Sequence, residues 1–202
     1  SNFIQEYNDY SIDLVDISKQ MLKQCQNSSI NKVCKGMLEF LTVQESCCYD
    51  AIVCTWALMY EQPQKVLNQC QRLLKNGGYL YILVNDQQTL PQIRKIYPKL
   101  LIEYVGSINK LMFDLPMPNN AQQLERWAKK AGLKNCRVTS KKQEFYFTDW
   151  NRAAKFVTST GALAGYDAML DLKNEKIFNT LVEQLQKFFT KPCITHHFVM
   201  GI

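Results

Sequence analysis

The sequence lacks the features that would place it in a membrane or in the secretory pathway. No uninterrupted apolar run in its 202 residues approaches the roughly 18 residues that a membrane-spanning helix needs. The amino-terminal residues also lack the basic-then-apolar layout of a secretory signal. We therefore expect a cytoplasmic protein with no membrane span.

The sequence also lacks cysteine pairs with C-x-x-C spacing, although it contains eight cysteines. Their irregular spacing, with several in apolar runs, favours reduced core thiols over disulfides or metal ligands. Cys47 and Cys48 have no further ligands at metal spacing. His196 and His197 are adjacent on a predicted strand and point to opposite faces, so they do not form one metal clamp. We expect no metal site.

No dense cluster of basic residues is present. The net charge is +6, but lysines and arginines are spread along the predicted helices and loops. This distribution disfavours a nucleic-acid partner and leaves an acidic partner or an anionic small substrate open. A persuasive nucleophile and base pair is also missing, which disfavours a hydrolase.

What the sequence does contain is an alternation of buried strands and amphipathic helices. Ser11–Val15 and Lys32–Lys35 are predicted strands, with a helix capped by Ser18 between them. The segments "YDAIVCT" and "YLYILV" are stronger strand candidates, separated by a helix that begins near Pro63 and ends at Gly77-Gly78. This alternation predicts an α/β fold with a doubly wound, mostly parallel sheet.

The second half of the chain has a less regular pattern. A helix over Leu90–Ile96 precedes the ambiguous stretch Leu100–Pro118, which we expect to be a helical insertion or lid. A strand pair or one long strand is predicted over Cys136–Phe147. The remaining predictions are three helices, in "NNAQQLERWAKKAGL", from Asp149 to about Thr158 and from about Glu175 to Phe189, and a last strand, "CITHHFVMG". With no repeat or linker, a single domain over residues 1–202 is expected.

One strand end suggests a binding site. In "SIDLVDISKQMLKQC" the strand ends at Asp16 and a helix follows at once. Ligands of open parallel sheets bind beyond the carboxyl ends of the strands, where a carboxylate is placed to accept two hydrogen bonds from a ribose diol. The alternative is that Asp16 only helps to cap the helix beginning at Ser18. From this stretch alone the two interpretations have equal weight.

Four segments in order resemble a known family. "VDISKQML", "KGMLEFL", "YDAIVCTWALMY" and "VLNQCQRLLKNGGYLYI" are similar, in order and spacing, to strand-end segments of class I S-adenosylmethionine-dependent methyltransferases. The resemblance runs from Ser11 to about Val84, and the later "LERWAKKAGL" also resembles that family. It implies a Rossmann-like methyltransferase fold with an antiparallel C-terminal strand, a transferase of class EC 2.1.1, and S-adenosyl-L-methionine as cofactor.

The resemblance implies roles for five residues at the cofactor. Asp16 corresponds to the acidic residue that binds the ribose hydroxyls. Ile17 and Met21 correspond to apolar positions that flank the adenine. Cys54 and Thr55 correspond to positions that line the methionine part.

Two departures from the family pattern stand out. The segment Gly36–Glu39 corresponds to the family's "GDAE", whose second residue usually binds the adenine amino group. In this sequence the second residue is Met37, so only backbone amides near Leu38 are left to read the base. The family's glycine-rich first strand and loop would precede Ser1 and is not in this sequence. We expect that the sequence is a shortened form, since a sheet without its central strand would leave a buried gap. The alternative is a protein that has lost its cofactor site.

The closing segments narrow the resemblance. "STGALAGYD" and "KPCITHHFVMG" resemble the tail of the malonyl-acyl-carrier-protein O-methyltransferases of biotin synthesis, and "TWALMY" resembles their segment after the fourth strand. Trans-aconitate-type carboxyl methyltransferases and related mitochondrial assembly factors share much of this pattern. The resemblance implies a carboxylate acceptor, either a small molecule or bound to acyl-carrier protein. Since a carboxylate is ionised at neutral pH, no catalytic base is required and positioning suffices.

Four residues are candidates for acceptor binding. Trp56 and Tyr60 belong to the expected wall between cofactor and substrate, and Arg152 and Tyr60 are candidates to orient an acidic substrate, with Trp150 as an aromatic wall. The alternatives are an ordinary solvated helix residue for Arg152 and plain core packing for Trp56 and Tyr60.

Two other functions compete with an enzyme of this kind. Met37 and the absent glycine-rich loop favour a binding or assembly protein that keeps the methyltransferase fold without turnover. A nicotinamide-dependent dehydrogenase also has an acidic strand end, but the two strands after the glycine-ended helix resemble it poorly.

Overall fold

A computed structural model of the chain describes residues 10–109, 115–159, 163 and 166–201. These residues alternate between strands and helices as the sequence pattern predicts. In chain order they form β1 (Ile12–Asp16), α1 (Lys19–Gln24), β2 (Ile30–Cys34), α2 (Met37–Val43), β3 (Tyr49–Thr55), α3 (Pro63–Leu73), β4 (Leu74–Asn85), α4 (Pro91–Glu103), α5 (Ala121–Lys130), β5 (Val138–Tyr146), α6 (Trp150–Ser159), α7 (Tyr166–Met169), α8 (Glu175–Phe188) and β6 (Cys193–Gly201), with short 3-10 helices at Leu58–Tyr60 and Val105–Ser107.

The strands form two sheets. β1 and β2 pair in parallel, and a four-stranded sheet has the order β3-β4-β6-β5. In that sheet β3 and β4 are parallel, whereas the last strand, β6, is antiparallel to both neighbours. The predicted α/β class with an antiparallel C-terminal strand is confirmed. Within the described residues no ladder joins β1 to β3, so each of these strands is the edge of its own sheet.

Side-chain contacts hold the two sheets together. Arg72, in the last turn of α3, donates hydrogen bonds to the backbone oxygens of Leu41 (2.9 Å) and Gln44 (2.8 Å), at the carboxyl end of α2. These carbonyls have no partner inside their own helix. The Tyr49 hydroxyl on β3 donates to Asp13 on β1 at 2.6 Å. Burial and this hydrogen bond raise the pKa of Tyr49 above its usual range.

Helices cover both faces of the four-stranded sheet, as the doubly wound class requires. Alternate residues of β6 point to opposite faces. On one face Val199 packs in a core with Leu67 of α3 and Leu124 of α5. On the other, Ile194 packs in a second core with residues of α4, α6 and α8, among them Leu181. Each fully buried leucine of this kind contributes about 1.5–3 kcal/mol.

Several element boundaries differ from the sequence prediction. α4 continues beyond Ile96 to Glu103, although Pro98 lies inside it, because Tyr97 and Leu100 extend its buried face. The predicted lid therefore begins as a helix. Its residues 110–114, like Gly161 and Gly165 of the predicted turn, lie outside the described residues. The candidate strand pair is one long strand, β5. The helix that begins at Pro63 ends at Leu73, so Gly77 and Gly78 lie inside β4 and do not end the helix as predicted.

Other classes of structure are not found in the described part of the chain. None of its helices is long and apolar enough to cross a membrane. No group of three histidine, cysteine or acidic side chains there is arranged to hold a metal ion. All eight cysteines are free thiols.

Candidate cofactor and acceptor site

The carboxyl ends of β2 and β3 meet at one place. Met37 begins α2, directly after β2, and its sulfur lies 3.8 Å from the Cys54 sulfur near the end of β3. The Cys34 thiol at the end of β2 in turn contacts the Ile17 carbonyl, which follows β1, at 3.6 Å. The two sheets therefore present their strand ends together, and the residues predicted to bind the cofactor lie at this common edge.

Asp16 is held at the end of β1 by one of its two carboxylate oxygens. Oδ1 accepts a hydrogen bond from the Ser18 backbone N–H at 2.7 Å. Ser18 caps α1, since its hydroxyl accepts from the Met21 N–H at 3.3 Å. Among the described residues none donates a hydrogen bond to Oδ2. The capping alternative is therefore present in the structure, yet it uses only half of the carboxylate.

The residues after Asp16 present apolar surface to solvent. Ile17 is 78% exposed and Met21 is 55% exposed. Across the edge, Met37 and Leu38 are half-buried at the start of α2. The N-cap residue of this helix is Gly36, which has no side chain to cap it. A carboxylate oxygen with no donor among the described residues, beside exposed apolar side chains, fits a nucleoside, with the sugar on Asp16 and the base against the apolar groups.

The end of β3 turns sharply at Trp56. Trp56 has φ of 56°, a left-handed conformation that is rare for a bulky residue. Its N–H donates to the Leu83 carbonyl at 2.7 Å, and its exposed ring meets Phe198 edge-on at 5.8 Å between centroids. Thr55 is exposed, whereas Cys54 is buried and burial raises the pKa of its thiol to about 11. Thr55 and Trp56 are therefore accessible at the edge, and Cys54 is a neutral wall residue.

Tyr60 lies one turn further along. In the short helix Leu58–Tyr60, Leu58 and Met59 are buried while Tyr60 is exposed. Leu58 and Met59 pack in the core, whereas the Tyr60 side chain remains accessible.

The other two acceptor candidates lie on α6, and the structure explains both positions by packing. Trp150 is only 5% exposed, its indole N–H donates to the Phe189 carbonyl at 3.2 Å, and its ring packs on the Phe189 ring. The Arg152 side chain is 74% exposed, with Nε 3.8 Å from an Asp149 oxygen. The apolar side of α6 is buried against the core, which takes Trp150 inward and leaves Arg152 in solvent. The structure thus gives Arg152 the solvated position of the alternative.

Sequence reasoning missed an acidic residue at the end of β4. Asp86 is 3% exposed, its backbone N–H donates to the His197 carbonyl at 3.2 Å, and Oδ1 accepts from the Gln88 N–H at 2.7 Å. Burial raises the pKa of Asp86, and the charges of His197 and Arg94 oppose this effect. The signal was available, because Asp86 follows a buried strand just as Asp16 does.

Known proteins with similar sequences or structures have a methyltransferase-like fold, in agreement with the fold described above. A family model described as a methyltransferase domain matches residues 2–82. No curated protein sequence matches the chain. Among solved structures, a provisionally assigned methyltransferase from Bacillus halodurans is similar with a TM-score of 0.55 and 12% identity, covering 95% of this chain and 81% of that chain. A SAM-dependent methyltransferase from Archaeoglobus fulgidus has a TM-score of 0.50 and 15% identity, covering 100% and 80%. The (4+2)-cyclase SpnF has a TM-score of 0.53 and 11% identity, covering 99% and 69%.

These findings agree on the fold of the protein. The fold is the Rossmann-like fold of the methyltransferases. The domain match supports a methyltransferase of class EC 2.1.1 with S-adenosylmethionine as its cofactor. The likeness to a cyclase shows that the same fold also carries other chemistry, so the acceptor has to be argued from the residues.

Proposed function

We propose that the protein is an S-adenosylmethionine-dependent O-methyltransferase that acts on a carboxylate. The observation that carries this proposal is Asp16, whose Oδ2 has no hydrogen-bond donor among the described residues while Ile17 and Met21 beside it are exposed. A ribose diol supplies the donors for Oδ2, and the adenine covers the apolar side chains. The cofactor, when bound, supplies a methyl group on a positively charged sulfur.

The chain's residues have positioning roles in this proposal. Asp16 holds the sugar, and Ile17 and Met21 flank the base. Met37 has no side-chain acceptor for the amino group of the base, so backbone amides near Leu38 read it. Cys54 and Thr55 line the end of β3 beside the reacting group. The buried Cys54 thiol stays protonated at neutral pH, because burial raises its pKa to about 11, so it does not compete as a nucleophile.

The acceptor we propose is a carboxylate. More specifically, we propose the malonyl group on acyl-carrier protein in biotin synthesis. A carboxylate is already ionised at neutral pH and needs no general base. Trp56 and Tyr60 form an accessible aromatic wall next to Thr55, suited to excluding water from the reacting atoms. The support for malonyl-acyl-carrier protein is the resemblance of "KPCITHHFVMG" and "TWALMY" to that enzyme group. Eight free thiols support the cytosol as the proposed location.

Isothermal titration with S-adenosylhomocysteine tests the role of Asp16. The Asp16→Asn variant keeps an acceptor for the Ser18 N–H but loses the charge, so we expect a Kd about 10- to 100-fold higher than in the wild type. Asp50→Asn is the matched control, since Asp50 is exposed and pairs with Lys75. No detectable binding to the wild type at millimolar ligand, or equal binding by wild type and Asp16→Asn, would contradict the proposal.

A second candidate is a binding or assembly protein that keeps the fold without turnover. Met37 favours it, because a thioether in contact with Cys54 replaces the side chain that usually reads the adenine. The absence of a ladder between β1 and β3 in the described residues also favours it. Measurable S-adenosylhomocysteine binding with no transfer of methyl to any malonyl thioester would support this candidate over the enzyme.

A further inference from the structure

Helices cover only one end of the sheet face that carries the second core. Ile194 and Met200 are both on this face, because alternate residues of β6 point the same way. Ile194 is fully buried in the second core, whereas Met200 is 43% exposed. On the neighbouring strand, β4, the Tyr81 ring is also exposed, at 39%. In the described part of the chain, this end of the face is therefore open to solvent.

A cleft lies on this open part of the face. Its volume is about 640 Å³, which is within the range of about 300–1,000 Å³ that small-molecule sites occupy. We call it the open cleft and define it by six of its lining residues: Thr55, Tyr81, Leu83, Arg137, Thr139 and Met200. The strand register places four of them in one row across the sheet, in the order Thr55, Leu83, Met200 and Thr139. Three strand spacings of about 4.8 Å make this row about 14 Å long.

The middle of the open cleft is apolar. Leu83 and Met200 supply aliphatic surface there, and Tyr81 supplies an aromatic ring beside them. The two hydroxyl-bearing residues of the row, Thr55 and Thr139, are at its two ends, on β3 and β5. An apolar chain that lies along the row removes its own surface and that of the cleft from water, which favours binding.

The β5 end of the open cleft is basic. Arg137 lines it and makes no ion pair or side-chain hydrogen bond with any residue that the structure describes. Lys141 is exposed two residues beyond Thr139, on the same side of β5. Glu125 is the carboxylate in the lining, and its charge is paired with Lys129, whose Nζ lies 2.6 Å from Oε1. This end therefore keeps a positive charge, and the planar guanidinium of Arg137 can donate two parallel hydrogen bonds to a carboxylate.

We propose that the open cleft binds an amphipathic carboxylate, that is, a medium-chain fatty acid with its head group on Arg137 and its chain along Leu83 and Met200. The cation selects the head group, and the row of about 14 Å sets the length of the chain. The cleft shares Thr55 with the proposed cofactor site. Its ligand is recognised by Arg137, Leu83 and Met200, so binding does not require the proposed methyl transfer.

The test is a titration of the full chain with dodecanoate below its micelle concentration. Calorimetry gives the Kd, and the NMR signals of isotope-labelled methionine methyl groups locate the ligand, with the Met200 signal assigned from Met200→Leu. Arg137→Gln removes the cation. Arg126→Gln is the matched control, since Arg126 is exposed on α5 and does not line the cleft. Dodecylammonium has the same chain with the opposite charge, and thermal unfolding confirms that each variant folds.

We expect dodecanoate to shift the Met200 methyl signal of the wild type. Its Kd should rise about tenfold in Arg137→Gln and stay nearly unchanged in Arg126→Gln, and dodecylammonium should bind the wild type at least about tenfold more weakly. Equal affinity for the two ligands, equal affinity of Arg137→Gln and the wild type, or a Met200 signal that does not move would each overturn the inference.

Other occupants of the open cleft give different results. A second copy of the chain on this face would give a dimer in sedimentation measurements, and Met200→Asp would dissociate it. An anionic membrane surface would give binding to phosphatidylglycerol vesicles that Arg137→Gln weakens, with no binding of free dodecanoate. Either result overturns the inference. None of these measurements uses S-adenosylhomocysteine or methyl transfer, so failure here leaves the proposed function standing, and failure of that function leaves the cleft standing.

Discussion

Replacing Arg72 by methionine tests how the smaller sheet is attached to the rest of the fold. The guanidinium of Arg72 bonds the carbonyls of Leu41 and Gln44, and both hydrogen bonds are partly buried. It also bonds Ser46 Oγ at 3.1 Å and Gln69 Oε1 at 2.8 Å. Methionine keeps most of the apolar stem but removes every donor. Two partly buried carbonyls at the end of α2 then lose their charged partner.

The expected loss follows from the two backbone hydrogen bonds. A hydrogen bond to a charged group contributes about 1.5–3 kcal/mol, and partial exposure reduces the sum of two to about 2–4 kcal/mol. For a chain of this length that corresponds to a fall in Tm of about 5–15 °C. Arg72→Lys keeps the charge but not the fork of donors, so we expect an intermediate value.

Urea titration followed by tryptophan fluorescence measures this loss. The control is Arg126→Met, which removes an exposed arginine from α5 and should change the free energy of unfolding by less than about 0.5 kcal/mol. If Arg72→Met unfolds at the same urea concentration as the wild type and as Arg126→Met, the attachment does not depend on Arg72.

Three further predictions concern the cores and the buried titratable groups. Leu67→Ala should lower the free energy of unfolding by about 2–5 kcal/mol, because Leu67 is fully buried, whereas Val43→Ala at an exposed position should be nearly neutral in the same urea titration. Burial lowers the pKa of His196, so the native state binds fewer protons than the unfolded chain. The wild type should therefore lose stability as pH falls through the unfolded pKa of about 6.5, and His196→Phe should lack that loss; equal urea midpoints between pH 7.5 and 5.5 in both proteins would contradict this. Cys54, with a pKa of about 11, should react with iodoacetamide at pH 8 far more slowly than the exposed Cys47 and Cys48, as read by peptide mass spectrometry.

The strand and helix order was predictable because hydrophobic periodicity is a local signal. "YDAIVCT" lies where the pattern places it, as β3, and the next helix, α3, begins at Pro63 as predicted. Its predicted end at Gly77-Gly78 is wrong, because β4 already starts at Leu74. The end of α4 was not predictable in this way. Pro98 usually stops a helix, but burial of Tyr97 and Leu100 outweighs that preference here. Burial of those residues depends on helices that are distant in the sequence.

The candidate site was also predictable only in part from the local sequence. Asp16 was found from the strand end alone. Only the structure shows that one of its oxygens, Oδ1, accepts the hydrogen bond from the Ser18 N–H. Trp150 and Arg152 share one helix and were assigned to the acceptor, yet only the helix orientation decides that the first is buried and the second solvated. Arg72 gave no sequence signal, because its partners lie 28 and 31 residues earlier in the chain.

The hydrogen bond to Oδ1 of Asp16 sets the direction of the second carboxylate oxygen, Oδ2, before any ligand binds. Because Oδ1 is tied to the turn at 2.7 Å, the side chain has already given up its rotational freedom during folding. Freezing such a side chain at the moment of association costs about 0.5–1.5 kcal/mol, and a hydroxyl ligand meeting Asp16 avoids that cost. The residue is thus preorganised, and its χ1 rotamer should be identical in NMR coupling measurements of the ligand-free and ligand-bound protein.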